Sequence, residues 1–122
     1  MNTKCTILIA EDEEINFFLL KVWIQDTCTI IHAKNGEEAL QLFKEHPEID
    51  LIIMDIRMPY INGIEATKII RETNTTIPII AHTAYAMNDE HTTIMEAGST
   101  DILIKPTNKE ACIQMLKKYI HI

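Results

Sequence analysis

Five short apolar runs recur along the chain, and none of them alternates strictly between apolar and polar residues. They are rich in isoleucine and occupy residues 6–10, 29–33, 51–54, 77–81 and 101–104. Strands that are buried on both faces have this pattern, and parallel sheets bury both of their faces. The run at 29–33 is interrupted by His32, which indicates an edge strand.

Segments with helical spacing separate these runs. In the first segment, apolar residues recur with a period near 3.6, and similar patterns follow Asn35-Gly36 and Asn62-Gly63 and precede the chain end. The segment between Ala84 and Ala97 is more polar and predicts a short or mobile helix that ends at Gly98. Strand and helix thus alternate five times, which predicts a doubly wound parallel sheet covered by five helices, with right-handed crossovers.

Length and charge exclude several classes of protein. The 122 residues fit one domain, 1–122. The chain has 11 basic and 18 acidic residues, a net charge of -7, which argues against a nucleic-acid partner. No apolar run approaches the roughly 20 residues of a membrane span, and the first run is too short for a signal-peptide core. We therefore expect a cytoplasmic chain without a membrane partner.

The cysteines and histidines show no ligand pattern. The chain has three cysteines, an odd number, and no CxxC spacing occurs among Cys5, Cys28 and Cys112. We therefore expect neither a disulfide nor a zinc site. Three buried free thiols in a reducing compartment are the expectation. The five histidines are scattered, and His82 alone is close to a strand end that carries other polar residues.

The first, third, fourth and fifth runs lead into residues with carboxylate, hydroxyl or ammonium groups. Ligand sites in open parallel sheets lie at the carboxyl ends of the strands, where the strand order reverses. We therefore expect one site at this edge, built from Glu11 and Asp12 after the first run, Asp55 after the third, Thr83 and Ala84 after the fourth, and Lys105 after the fifth.

The residue types at these positions favour phosphoryl chemistry. Three clustered acids repel one another unless their pKa values rise or a cation binds, and carboxylate oxygens suit Mg²⁺. A cation and Lys105 would neutralise the charge of an incoming phosphoryl group. A carboxylate can itself be the nucleophile, and Asp55 is the candidate because it directly follows an apolar strand.

Four segments resemble the receiver, or response-regulator, family of two-component signalling. They are ILIAEDEEIN (7–16), LIIMDIRMPYINGIEA (51–66), PIIAHTAYAM (78–87) and DILIKP (101–106), and the resemblance spans essentially the whole chain. It implies a flavodoxin-like sheet with strand order 2-1-3-4-5 and a signalling module rather than a turnover enzyme. The segments AEDEEIN and TAYAMNDE also resemble receivers of hybrid histidine kinases.

The resemblance implies a role for each matching residue. Asp55 resembles the phosphoacceptor, while Thr83, the N–H of Ala84 and Lys105 resemble the groups that contact the phosphoryl oxygens. The implied Mg²⁺ ligands are Asp12, Asp55, the backbone carbonyl of Arg57 and, through water, Glu11. The bond between Lys105 and Pro106 is expected to be cis. The implied partner is a sensor histidine kinase or a histidine phosphotransfer domain, with self-association as a further expectation.

Two departures from the family pattern affect how a signal would leave the site. Ile102 stands where many receivers have an aromatic residue, so the signal would leave through the loop after Thr83, the fourth helix or an oligomer contact; alternatively, Ile102 is an ordinary core residue with a weak switch. Arg57 and Tyr85 lie two residues beyond Asp55 and Thr83. Their bulk predicts shielding of the phosphoryl group and slow self-dephosphorylation.

The first helix has more apolar residues than one face can bury. In one arrangement, Phe17, Phe18 and Val22 point outward and form a docking surface for a phosphodonor helix, while the buried stripe consists of Ile15, Leu19, Leu20, Trp23 and Ile24. In the other arrangement, a slightly rotated helix buries Phe18 and leaves one phenylalanine exposed.

Three other functions fit the sequence less well. An Asp-nucleophile phosphatase usually has an acid where this chain has Arg57, and it needs a cap domain. A flavodoxin-like cofactor binder would want a Ser/Thr/Gly loop where residues 11–14 are all acidic. A receiver-like module that is not phosphorylated is disfavoured by the intact set of Asp55, Thr83 and Lys105.

Overall fold

The computed structural model describes residues 4–84 and 88–122, in which strands and helices alternate. The elements are β1 (Cys5–Ala10), α1 (Glu14–Ile24), β2 (Cys28–Ala33), α2 (Gly36–Glu45), β3 (Leu51–Asp55), α3 (Gly63–Arg71), β4 (Ile79–Thr83), α4 (Asn88–Ala97), β5 (Asp101–Ile104) and α5 (Lys109–Lys117). The strands form one parallel sheet in the order β2-β1-β3-β4-β5. This confirms the predicted fold, including the edge position of the strand that carries His32.

The strand ends are shifted slightly from the predicted runs. β4 begins at Ile79 rather than at Ile77, because Pro78 has no N–H to donate to a neighbouring strand. β3 extends one residue further than predicted and includes Asp55, which pairs in register with His82 of β4. The backbone of Asp55 is therefore fixed by the sheet itself rather than by a loop.

Both faces of the sheet are buried, as the uninterrupted apolar runs predict. One face packs against α2 and α3, with a cluster that includes Leu8, Ile52 and Ile70. The other face packs against α1 and α5, and its cluster includes Ile53 and Leu116. A third, smaller cluster joins α4 to the sheet and consists of the buried residues Ile56, Ala81 and Ile94, with Ile64 and Ile102 packed against it.

Asparagine caps start the helices that follow β2, β3 and β5. The side chains of Asn35, Asn62 and Asn108 each accept a hydrogen bond from a backbone N–H of the first helical turn. At α3, Asn62 and Glu65 form a reciprocal capping box. The next residue, Gly63, lies so close to β3 that an added Cβ would stand 2.1 Å from the carbonyl oxygen of Asp55. Only glycine allows α3 to begin there.

Helix α1 is rotated relative to the predicted buried stripe. Leu20 and Ile24 are buried as expected, but Ile15 is 77% exposed and Leu19 is also exposed, so their predicted burial is wrong. Phe17 was predicted to point outward; instead its ring stacks on His32 of the edge strand, with centroids 3.5 Å apart. The predicted exposure of Phe18 and Val22 is confirmed. The alternative arrangement is half correct, because one phenylalanine is exposed, but it is Phe18.

The expectation of three free thiols is wrong for two of the cysteines. Cys5 and Cys28 are register partners at the first positions of β1 and β2, and their sulfur atoms form a disulfide. Cys112 is a buried free thiol, and its burial raises the pKa to about 11. Spacing along the chain does not reveal this bond, because the parallel pairing of β1 and β2 places the two residues side by side.

Within residues 4–84 and 88–122, no helix has the length and apolar character needed to cross a membrane.

Candidate functional site

The carboxyl edge of the sheet brings the predicted site residues together. Carboxylate oxygens of Glu11, Asp12 and Asp55 all lie within 4.8 Å of one another. Beside them is a cavity of about 260 Å³, whose lining comprises Glu13, Asp55, Arg57, Thr83, Ala84 and Lys105. Each residue is placed by the end of its own strand, as expected for a parallel sheet.

Lys105 is the cation of this cluster. Its ammonium group lies 3.2 Å from Glu11 Oε1 and 3.4 Å from Asp55 Oδ1, and its backbone N–H donates to the carbonyl of Thr83 at 2.9 Å. Burial alone would lower the pKa of Lys105, but the attraction of the two carboxylates outweighs it and raises the pKa. The ammonium therefore stays charged at the place where an anion would arrive. The bond from Lys105 to Pro106 is cis, as predicted.

Asp55 is only 3% exposed and is surrounded by competing charges. Its Oδ1 accepts a hydrogen bond from the backbone N–H of Arg57 at 3.1 Å. Desolvation, together with the hydrogen bond and charge of Glu11, raises the pKa of Asp55 to about 7, although Lys105 and the Arg57 N–H act in the opposite direction. Without a bound metal ion, the Asp55 carboxyl group is therefore partly protonated at neutral pH.

Glu11 is almost completely buried, whereas Asp12 is exposed. Oε2 of Glu11 accepts from the backbone N–H of Glu13 at 3.2 Å, and Oε1 faces Lys105. Three converging carboxylates form the all-oxygen ligand set that Mg²⁺ prefers, so these residues fit that ion. The predicted ligand role of the Arg57 carbonyl has no contact that tests it and stays a prediction.

His82 is a buried neighbour of the acid cluster, as the sequence suggested. Its Nδ1 lies 3.9 Å from Glu11 Oε1, and neither ring nitrogen has a hydrogen-bond partner among the described residues. Burial, with a smaller contribution from the charge of Lys105, lowers the pKa of His82 to about 4. The ring is therefore neutral at physiological pH and adds no positive charge to the site.

One contact beside the site was not predicted. The guanidinium Nη2 of Arg57 lies 3.0 Å from Oε1 of Glu90, which belongs to the first turn of α4. The sequence alone had indicated only the bulk of Arg57. The acids at the start of α4 could have suggested an ion pair, but whether they lie near Arg57 depends on the path of the folded loop. Tyr85, the second predicted shielding residue, lies outside the described residues.

The strand order β2-β1-β3-β4-β5, with an acidic cluster at the carboxyl edge, defines a flavodoxin-like domain. The chain belongs to the response-regulator family, because its residues 7–117 match the model described as the response regulator receiver domain. A relative with 36% identity over 118 residues is the polar-differentiation response regulator DivK of Brucella anthropi, and the match covers 94% of this chain and 95% of that protein.

Solved structures agree with this assignment. The chemotaxis protein CheY4 of Vibrio cholerae superposes with a TM-score of 0.91 at 25% identity, covering 97% of this chain and 100% of that one. A chain from the CheX–CheY–BeF₃–Mg²⁺ complex of Borrelia burgdorferi matches with a TM-score of 0.88 at 25% identity, covering 96% of this chain and 90% of that one. The chain is thus a receiver domain of two-component signalling, and the resemblance to hybrid-kinase receivers is a secondary feature of two segments.

Proposed function

We propose that residues 1–122 form a single receiver domain that accepts a phosphoryl group on Asp55, in a Mg²⁺-dependent reaction. The donor is a phosphohistidine of a sensor histidine kinase or of a histidine phosphotransfer domain. The observation that carries this proposal is the convergence of three carboxylates and Lys105 at the carboxyl edge of the sheet. Family membership supports the signalling role, and the buried charges support the chemistry.

The proposed reaction is an in-line transfer. A carboxylate oxygen of Asp55 attacks phosphorus, the bond from phosphorus to the donor imidazole nitrogen breaks, and that nitrogen keeps the electron pair and takes a proton from solvent. Lys105, which lies 3.4 Å from Asp55, pairs with a phosphoryl oxygen. The Thr83 hydroxyl and the Ala84 N–H donate to the remaining oxygens. The domain thereby catalyses its own phosphorylation and dephosphorylation without being a turnover enzyme.

Mg²⁺ would be held by Glu11, Asp12, Asp55 and the carbonyl of Arg57, and would supply neutralisation of the charge that gathers at the acceptor. The raised pKa of Asp55 supports this requirement. Only the ionised carboxylate is nucleophilic, and a cation among the three acids favours that form. The cation would also offset the repulsion between three carboxylates and an incoming phosphoryl group. Removal of divalent cations with EDTA should therefore abolish phosphorylation at neutral pH.

The proposal is tested with a small acyl-phosphate donor. The protein is incubated with acetyl phosphate and Mg²⁺ and then weighed intact, and we expect a mass gain of one phosphoryl group. The gain should be absent in Asp55→Asn and present in Asp26→Asn, which alters an exposed acid in the turn after α1. A gain that persists in Asp55→Asn, or no gain in the wild-type protein, contradicts the proposal.

The proposed partner surface is the exposed apolar face of α1. Ile15, Phe18, Leu19 and Val22 are all exposed large hydrophobic side chains on this helix. Because α1 begins three residues after Glu11, the surface adjoins the site and suits an apolar face of a phosphodonor helix. Phe17 contributes less than predicted, because its ring is stacked on His32.

This surface is tested by comparing two donors. Phe18→Ser should slow phosphotransfer from a histidine-containing protein donor about tenfold, which is the effect of losing about 1.4 kcal/mol of binding. The rate with acetyl phosphate should not change. Ile69→Ser is the matched control, because Ile69 is a comparably exposed isoleucine on α3. Equal losses with both donors would rule out docking on α1.

We also propose a cytoplasmic location without membrane partners, where the reducing environment would keep the Cys5–Cys28 pair as thiols. The excess of 18 acidic over 11 basic residues supports the absence of a nucleic-acid partner. Self-association upon phosphorylation is part of the same proposal. It is supported by two exposed apolar residues on neighbouring elements, Met95 of α4 and Ile104 of β5. Sedimentation with and without acetyl phosphate measures it; an unchanged monomer in both would contradict it.

A further inference from the structure

We propose that the Arg57 side chain exchanges partners when Asp55 is phosphorylated. Its guanidinium pairs with Glu90 of α4 before phosphorylation and binds the phosphoryl group on Asp55 afterwards. The ion pair between Arg57 and Glu90 is then lost, and the first turn of α4 is released from the site loop. This inference rests on the proposed function, and it gives the signal a route that needs no aromatic ring at Ile102.

The position of Arg57 allows it to serve both sites. Its backbone N–H donates to Asp55 Oδ1 at 3.1 Å, while its Nη2 lies 3.0 Å from Glu90 Oε1. The residue lines the 260 Å³ cavity that Asp55, Thr83 and Lys105 also line. It equally lines a groove of about 570 Å³ between the β3–α3 loop and α4. The Arg57 backbone is thus bound to Asp55, while its side chain lies between Asp55 and Glu90.

Glu90 is a weaker partner for the Arg57 guanidinium than a phosphoryl group would be. The side chains of Arg57 and Glu90 are 61% and 38% exposed, and exposed ion pairs contribute little because water screens them. A phosphoryl group on Asp55 carries more negative charge than a carboxylate and offers oxygens that a guanidinium binds in a bidentate manner. It would also sit in a less solvated place, where charges interact more strongly. The guanidinium therefore gains by moving toward Asp55.

Among the described residues of α4, the buried apolar side chains lie in its second half. Its buried apolar residues are Ile94 and Ala97, and the cluster that contains Ile94 is the smallest of the three. Glu90 lies one turn nearer the site, where the ion pair to Arg57 connects α4 with the loop after β3. Loss of this pair removes a restraint on the first turn while Ile94 keeps the helix on the sheet.

The test compares amide exchange in α4 with the lifetime of the phosphoryl group. The amides of residues 92–94 report the first turn, because in a helix they donate to carbonyls four residues earlier. Phosphorylation of the wild-type protein with acetyl phosphate should speed their exchange several-fold. Glu90→Gln should show that faster exchange before phosphorylation. Arg57→Gln should show it too, and its phosphoryl group should hydrolyse several-fold faster than that of Glu90→Gln.

Two further variants separate the ion pair from general effects. Glu96→Gln removes another exposed acid of α4 and should behave as the wild-type protein does. Exchanging the charges in Arg57→Glu with Glu90→Arg should restore slow amide exchange but not the long phosphoryl lifetime. If the wild-type protein gains no phosphoryl group, the proposed function fails. If it gains one but α4 exchange is unchanged, or Arg57→Gln leaves the lifetime unchanged, this inference alone fails.

Discussion

The two ends of the sheet are built in opposite ways. At the amino end, β1 and β2 are joined by the Cys5–Cys28 disulfide, and the N–H of Thr6 donates to the carboxylate of Asp50 at 2.9 Å. At the carboxyl end, the charged residues Glu11 and Asp55 are buried beside Lys105 and a neutral histidine. The first end contributes stability, and the second holds charges whose burial is unfavourable without a bound cation.

The difference indicates that the amino end of the sheet serves stability and that the carboxyl end serves the site. Strand bodies between the two ends are apolar on both faces, so the carboxyl end can carry unfavourable charges without losing the fold. Substitutions at the two ends should therefore change stability with opposite signs.

The largest loss is expected in the strand bodies that support the charged end. Ile53 is buried two residues before Asp55, and Ile53→Ala should lower the free energy of unfolding by about 2–5 kcal/mol. Urea unfolding with and without Mg²⁺ measures it, and the loss should be the same in both. Ile69→Ala, on the exposed side of α3, should change stability by less than about 0.5 kcal/mol. A small loss for Ile53→Ala would mean that the core does not carry the stability.

The amino end should lose a similar amount when its disulfide is reduced. The bond joins residues separated by 23 positions, and in the chain-entropy model closing such a loop contributes about 3 kcal/mol. Urea unfolding of the wild-type protein in dithiothreitol should show this loss. The double variant Cys5→Ser with Cys28→Ser should be insensitive to dithiothreitol. Phosphorylation by acetyl phosphate in folded protein should not change, and a parallel loss of phosphorylation would show that the two ends are coupled.

Much of this contrast was predictable from sequence, because the positions of the strands determine which residues lie at each end of the sheet. Apolar runs without alternation predict strands buried on both faces, and the residues after Ala10, Met54 and Ile104 then lie at one edge. The acids, the lysine and the fold were predicted on these grounds. The disulfide had an available signal as well, since Cys-Thr-Ile occurs at 5–7 and again at 28–30, at the start of two neighbouring strands.

The features that were missed depend on contacts between distant segments. The rotation of α1 follows from Phe17 stacking on His32, a residue of the edge strand that helical periodicity does not consider. The pair of Arg57 and Glu90 joins residues 33 positions apart through a loop whose path includes Tyr60 at a positive φ of 67°. Spacing along the chain reports neither contact, because each is set by how whole elements pack.

At the carboxyl end, removing a charge should stabilise the protein. In EDTA at pH 7, Asp55→Asn should raise the free energy of unfolding by about 1–3 kcal/mol. The reason is that burial and Glu11 disfavour the ionised form of Asp55 and raise its pKa to about 7. Mg²⁺ should stabilise the wild-type protein and have less effect on the variant. Asp26→Asn is the control and should change little. A destabilised Asp55→Asn would contradict the claim that this end carries unfavourable charge.

The smallest and sharpest effect is the pH dependence of stability in EDTA, where Asp55 and His82 act in opposite directions. Between pH about 4 and about 7, native Asp55 keeps a proton that the unfolded chain has released, so rising pH lowers the free energy of unfolding. Between pH about 4 and 6.5, unfolded His82 holds a proton that the native ring lacks, so rising pH increases it. These two contributions should nearly cancel in the wild-type protein.

Two variants separate the contributions when each is compared with the wild-type protein by urea unfolding from pH 4.5 to 6.5. Relative to wild type, His82→Leu should lose about 1 kcal/mol of stability per pH unit as pH rises, because only the Asp55 contribution remains. Asp55→Asn should gain a similar amount per unit, because only the His82 contribution remains. His91→Leu, which alters an exposed histidine of α4, should follow the wild-type curve. Parallel curves for all four proteins would show that neither buried group changes its protonation on folding, and the contrast between the two ends would then rest on packing alone.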